Sequence, residues 1–194
     1  MKEEQILESS KKLFTKYGYK KVTMDEIAKE AGVTKRTVYS YFKDKDEILK
    51  IFLIEETKNM KKIIDSVEAK KLEFIEKIHQ VLYELFKYRR TNEFLNAITN
   101  EEITIRNCNV SQRLKIIDSS IKDYIKSKLI YAIEHKKIVN IDVDVATFLI
   151  YQMYVSLMFE WSNSNQPLNE EEIASIIVKI LQNGIMYEEE KNEK

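Results

Sequence analysis

The chain has 194 residues and a mass of 23.1 kDa, with 32 basic against 32 acidic side chains, 44% hydrophobic residues and 33% charged ones. That is a folded, globular composition and excludes a disordered chain. One proline and three glycines exclude a turn-rich sheet protein, because sheets and long loops need turn residues that helices do not; the expected fold class is all-α.

The first predicted helix covers residues 3–17, with Ile6, Leu7, Leu13, Phe14 and Tyr17 on one face. Gly18 ends it where a C-terminal glycine belongs. Thr23-Met24-Asp25-Glu26 matches the S/T-x-x-E capping box, so a second helix starts there and runs to Ala31, stopping at Gly32. Thr34 caps a third, 35–41. Asp44 caps a fourth, with Ile48, Leu49, Phe52 and Leu53 on its apolar side. Leu72, Ile75, Ile78, Leu82, Leu85 and Phe86 predict a helix near 70–90, and a short one is expected over 93–100. The stretch "EEITIRNCNV" reads as a short helix or a loop. Its cysteine, Cys108, is the only one in the chain, which excludes an internal disulfide and fits a reducing compartment. Another helix is expected over 111–136, with Leu114, Ile117, Ile121, Tyr124, Ile125 and Leu129 inward.

Residues 143–161, "VDVATFLIYQMYVSLMFEW", are apolar nearly all round. The run is short of the roughly 20 residues a membrane span needs, and it reads as a helix buried between others. The last helix, 169–187, carries Ile173, Ile176, Ile177, Ile180 and Leu181 on one stripe. The N-terminus is charged from its second residue and has no apolar signal core, so a cytoplasmic protein with no membrane partner is expected.

The charge balance conceals a local excess. Residues 1–50 hold 12 Lys/Arg against 9 Asp/Glu, and within 34–45 Lys35, Arg36, Lys43 and Lys45 face only Asp44. The third helix, in "TKRTVYSYF", has a narrow apolar stripe of Val38 and Phe42; every other position is a cation, a hydroxyl or a phenol. Helices two and three share helix-turn-helix grammar. Two short helices crossing steeply need a small residue at the contact, here Ala28, and a positive-φ turn, here Gly32. Val33 plugs the turn, and Ile27 and Val38 close the small core.

"VTMDEIAKEAGVTKRTVYSYFKDKDEIL", residues 22–49, resembles the DNA-binding segment of the tetracycline-repressor (TetR) family, and "ILESSKKLFTKYGYKKVTM" resembles that family's first helix and Gly-Tyr turn. The resemblance covers about the first 50 residues; the rest is similar only in its helical layout. It implies a DNA-binding domain over 1–47, three helices with a helix-turn-helix, and a helical ligand-binding and dimerisation domain over 48–194. In such a unit the second helix of the pair enters the major groove with its N-terminal residues at base edges. Thr34, Lys35, Arg36 and Thr37 hold that end. Arg36 has the geometry for guanine, and Thr37 for a thymine methyl or a hydrogen bond. The resemblance makes Tyr39 a phosphate contact, joined by Ser40, and places Lys45 on a position that reaches phosphate. Thr23 adds a hydroxyl and free backbone N–H groups. Lysines 35 and 43 read equally as solvated, and Thr23 and Thr34 equally as helix caps alone. Tyr41 either packs against the first helix or touches DNA.

One such unit reads few base pairs, and dimers place two on successive major grooves. The helices over 143–161 and 169–187 are the expected homodimer surface, with Gly184 and Ala174 allowing close approach. The resemblance implies the same pair, and also a small hydrophobic or cationic effector inside the larger domain. The residues able to line such a site are His79, Tyr83, Phe86, Phe94, Tyr151, Tyr154, Met158 and Trp161, with core packing as the alternative for each. Two rivals stand beside a ligand-released repressor: a DNA-binding regulator without an effector, and a helical interaction scaffold with a degenerate DNA domain. An enzyme is not expected. Glu76 and His79 form an E-x-x-H pair, but the other histidine, His135, has Ala132 three residues before it, so a di-iron set is incomplete. No catalytic residue, metal or cofactor is expected.

Overall fold

The computed structural model describes residues 2–104, 114–161 and 165–185, and every regular element among them is helical. The chain runs through α1 (Lys2–Tyr17), α2 (Met24–Glu30), α3 (Lys35–Tyr41), α4 (Lys45–Glu68), α5 (Phe74–Thr91), α6 (Glu93–Thr104), α7 (Lys115–Glu134), α8 (Val143–Val155) and α9 (Glu170–Ile185). Helix α8 continues into a single π turn, Ser156–Glu160. Of the stretch read as a short helix or a loop, residues 101–104 close α6; residues 105–113, with Cys108, lie outside the described residues. No helix among the described residues is long and apolar enough to cross a membrane.

The contacts divide the chain into two compact units, Met1–Lys61 with Tyr88–Ile117, and Lys62–Lys87 with Asp118–Lys194. In the first, α1 buries Ile6, Ser10, Leu13 and Phe14, a helical stripe whose one hydroxyl is satisfied by Ser10 donating to Ile6 O at 2.7 Å. Tyr17 departs from the expected inward face. It is 51% exposed, with the Lys16 ammonium over its ring, and Phe14 packs edge-on against Tyr19 and Phe52 instead. Phe52 in turn meets Phe94, ring centroids 5.5 Å apart. Each fully buried Phe, Ile or Leu contributes about 1.5–3 kcal/mol, and these rings share that role with Ile6, Ile27, Ile48, Leu49 and Leu53.

A polar centre ties the same helices together. The buried carboxylate of Glu56 on α4 accepts from Lys11 Nζ on α1 at 3.1 Å, from Asn92 Nδ2 at 2.7 Å and from the Tyr88 hydroxyl on α5. Burial and the Glu56 carboxylate push the Tyr88 phenol up to about 12. A buried charge is tolerated only when its partners hold it this fully.

In the second unit one core cluster gathers Phe86, Ile173, Ala174 and Ile177, with Tyr154, Leu157 and Met158 against it; another gathers Leu129, Ala132 and Ile138. Two sequence expectations need correction here. The 143–161 helix is not buried all round: Val145, Phe148 and Leu149 are 54%, 56% and 55% exposed. On α9, Ile173 and Ile177 are buried, whereas Ile176 and Ile180 face outward. Ala174 belongs to the internal cluster rather than to an outward contact, while Gly184 is exposed with open space around its Cα.

Two helix ends show how local geometry is set. After α2, Val33 N donates to Ala28 O at 3.0 Å and Gly32 N to Lys29 O at 3.2 Å. This is the paired bonding of a Schellman motif, with Gly32 at φ +64° in the left-handed position. After α7, Lys137 N donates to Ala132 O and Lys136 N to Ile133 O, and Lys136 takes φ 53°. A left-handed residue with a Cβ costs about 1–2 kcal/mol. No atom lies within 4 Å of a Cβ built on Gly32, so only backbone conformation opposes a side chain there. Gly32→Ala is expected to destabilise by about 1 kcal/mol in urea unfolding, and Lys136→Gly to stabilise by a similar amount; equal signs for the two would contradict this account. Lys11→Met is expected to lower stability by about 2–3 kcal/mol, since it removes a cation from a buried carboxylate; a change within experimental error would show that Glu56 does not need its cation.

Candidate nucleic-acid interface

Helix α3 is only seven residues long, below the length at which a helix holds itself in water. It persists because both ends and one face are fixed. Val38 and Phe42 are buried with Ile27 and Ala28, and Val33 is half-buried behind them. At its start, Thr34 is the N-cap and its hydroxyl accepts from Thr37 N at 3.2 Å. At its end, Phe42 N donates to Val38 O. Helix α2 is held by the complete capping box expected from the sequence. Glu26 N donates to Thr23 Oγ1 at 3.3 Å, and Thr23 N donates to Glu26 Oε2 at 2.7 Å. The bond from the Thr23 backbone, then that from its hydroxyl, holds the Glu26 carboxyl below its ordinary range. A carboxyl lowered by folding stabilises the fold above its unfolded range, and this contribution is lost as pH falls through the folded value.

The outer face of α3 carries the expected groups. Arg36 is exposed, and its guanidinium has no hydrogen bond or ion pair among the described residues. Beside it, the Thr34 and Thr37 hydroxyls lie 2.8 Å apart, and Ser40 Oγ donates to Thr37 O at 2.6 Å. Tyr39 is 48% exposed and Tyr41 45%, the Tyr41 ring tilted against Phe42. Lys35 reaches back to Asp25 in the first turn of α2 at 2.7 Å, and this bond raises its pKa. The pair is exposed at both ends, so another anion can replace Asp25 at small cost. The sequence reading missed Asp25; a carboxylate in the first turn of α2 and a lysine one residue past the α3 cap were its only signal.

Lys45 is arranged differently from the other seven predicted contacts. Its ammonium donates to the carbonyls of Tyr19, Lys20 and Val22 at 2.9, 3.1 and 2.8 Å and lies over the Tyr19 ring. All three donors of the ammonium point inward, where they hold the turn between α1 and α2.

The eight residues expected near an effector do not all meet. Tyr83, Phe86, Tyr154 and Met158 share the first cluster of the second unit, Phe86 stacked on Tyr154 at 5.7 Å, with Tyr151 next to Tyr154. Phe94 belongs to the first unit, against Phe52. Trp161 is 40% exposed and donates from Nε1 to Gln166 O. His79 Nε2 lies 3.2 Å from both Ser175 Oγ and a Glu171 carboxylate oxygen on α9. Among the described residues no group of three or more His, Cys, Asp or Glu side chains is placed to hold a metal ion. Two further polar features mark the interior of this unit. Burial pushes the Asp118 carboxyl and the Tyr151 phenol up, and the two share a hydrogen bond. The buried Thr147 hydroxyl, one turn before Tyr151, has no hydrogen-bond partner among the described residues.

The family model for bacterial regulatory proteins of the tetR family matches residues 6–50. The chain is 33% identical to the HTH-type transcriptional regulator YhgD of Bacillus subtilis, over 93% of this chain and 94% of that protein. It is 26% identical to the fatty acid metabolism regulator protein of the same organism, over 93% and 94%. Among solved structures, the Bacillus subtilis regulator FadR in complex with stearoyl-CoA superposes with a TM-score of 0.74 at 22% identity, covering 94% of this chain and 98% of that one; this likeness shows the fold. With a matched helix-turn-helix segment and a relative aligned along almost its whole length, the chain belongs to the TetR family of DNA-binding, helix-turn-helix transcriptional regulators.

Proposed function

We propose that this regulator is a repressor that binds a palindromic double-stranded operator as a homodimer and is released by a small hydrophobic ligand. Residues 1–47 form the DNA-binding domain in this reading, and residues 48–194 the ligand-binding and dimerisation domain. The protein then works in the cytoplasm, and it has no catalytic role. The observation that carries the reading is the unpaired Arg36 guanidinium on the first turn of a helix pinned by Val38 and Phe42.

An arginine fork matches guanine O6 and N7, and each good bidentate pair discriminates by about 1–3 kcal/mol. Thr37 and Lys35 stand next to it for base edges or phosphate. Tyr39, Ser40, Thr34 and Thr23 supply hydroxyls along the same side for the backbone, which positions the protein without reading sequence. Lys45 contributes by holding the α1–α2 turn; a phosphate contact from it would require releasing a carbonyl.

Dimerisation is supported by what α8 and α9 leave outside. Val145, Phe148 and Leu149 follow one face of α8, and Ile176 and Ile180 one face of α9. Contiguous apolar surface of this kind marks association in folded proteins. The effector reading is supported by the cluster of Tyr83, Phe86, Tyr154 and Met158 and by the acyl ligand of the FadR structure. A coupling of about 1–3 kcal/mol between ligand and DNA is sufficient for release.

Arg36→Ala is expected to weaken the cognate site by about 1–3 kcal/mol while leaving nonspecific duplex binding nearly intact, read by fluorescence anisotropy at fixed salt. Equal loss on every duplex would make Arg36 a phosphate contact. Phe148→Glu is expected to move the protein toward monomer in sedimentation without changing its helical circular dichroism, since the side chain is exposed in the single chain; an unchanged dimer would place the interface elsewhere.

A further inference from the structure

Within the second unit, the last turn of α4, the first turns of α5 and the end of α7 enclose an open crevice of about 280 Å³. Its wall brings together three lysines, Lys77, Lys128 and Lys137, one central carboxylate, Glu68, and two rings, Phe74 and Tyr131.

The charges do not cancel across this space. Glu68 is already occupied: Lys128 Nζ lies 2.6 Å from its Oε1, the Tyr124 hydroxyl donates to it at 3.2 Å, and Lys77 stands 4.0 Å from Oε2 while donating to the Glu68 carbonyl at 2.9 Å. Lys137 is left over. Its ammonium lies 5.1 Å from the centroid of the Phe74 ring, and it has no carboxylate partner among the described residues. The second acid of the wall, Glu73, is exposed. Three half-buried ammonium groups face two carboxylates, one of them exposed, and the excess of positive charge favours an anion.

The rest of the wall carries two rings and two aliphatic side chains. Phe74 and Tyr131 have centroids 6.4 Å apart at a shallow angle, and Tyr131 stacks on His135 at 3.9 Å. Leu72 and Ile78 add aliphatic surface. Rings in such an arrangement accept a planar body by offset stacking. The volume lies just below the usual range of ligand pockets, about 300–1,000 Å³, and suits one substituted ring rather than a long chain.

We propose that this crevice is a binding site for a small planar organic anion, a carboxylate or phosphate on an aromatic body, with Lys137 and Lys77 holding the charge and Phe74 and Tyr131 the ring. The site goes beyond the DNA-binding and effector reading above and does not rest on it. Glu68, as the last residue of α4, positions Lys128 and Lys77 rather than touching the ligand.

The test uses the full chain, isothermal titration calorimetry at low ionic strength, and four probes: phenyl phosphate, benzoate, inorganic phosphate and benzyl alcohol. Saturable binding of phenyl phosphate or benzoate is expected, at least tenfold tighter than inorganic phosphate or benzyl alcohol; which of the two binds tighter identifies the anionic group. Lys137→Gln should weaken that binding at least tenfold. Lys126→Gln, at a lysine paired with Asp144 outside the crevice, should leave it unchanged. Thermal unfolding of each variant checks that it is folded, and Lys77→Gln replaces Lys137→Gln if the latter is not. Binding of none of the probes overturns the proposal. So does equal binding of benzyl alcohol, and so does binding that both crevice variants retain. None of these outcomes bears on DNA binding, which is read separately on duplexes.

Discussion

The left-handed turn at Gly32 is the constraint on which the outer face of α3 depends. Its positive φ lets Val33 and Gly32 donate back to Ala28 and Lys29, which closes α2 and turns the chain into α3. The crossing brings Val38 and Phe42 onto Ile27 and Ala28. Because so short a helix has no stability of its own, these few apolar contacts and the Thr34 cap decide whether α3 exists at all. They also leave its other positions unburdened by packing. Arg36 and Tyr39 are exposed and are therefore not needed to hold the fold, and their chemistry is available for a partner.

Around that turn, polar groups do the positioning that a small core cannot. Thr23 and Glu26 fix the start of α2 reciprocally, and Lys45 gathers three carbonyls between α1 and α2. Glu56 performs the same service deeper inside, joining α1, α4 and α5 through Lys11, Tyr88 and Asn92. A buried carboxylate held by three donors favours one arrangement of helices over near alternatives, because any shift leaves a charge unpaired.

The readable parts of the sequence were those where one local rule decides the outcome. A capping box, a glycine after an apolar stripe, and a basic face with two apolar positions predicted α2, the turn and α3 nearly to the residue. What could not be read depends on partners distant in the chain. Tyr17 continues the periodicity of α1, yet Phe14 finds Tyr19 and Phe52, and the tyrosine turns outward. Lys45 looks like a surface cation until the carbonyls of a turn more than twenty residues earlier are brought under it. Helix α8 is apolar on every face by composition, and hydropathy alone cannot tell a core face from one left outside. The π turn at Ser156–Glu160 follows a run with no glycine or proline to announce it. Of the residues expected near an effector, Phe86, Phe94 and Tyr151 are all buried, and composition could not assign Phe94 to a different compact unit from the other two.

In the proposed reading, the exposed apolar faces of α8 and α9 join two copies, and each copy presents the exposed cationic end of α3 to a duplex. Selection of bound sequences from a random duplex pool by the purified full chain tests this most directly. The account predicts enrichment of a two-fold symmetric site whose half-sites lie about 34–36 Å apart, on successive major grooves. Enrichment of a single unsymmetric half-site, or of no sequence at all, would contradict it.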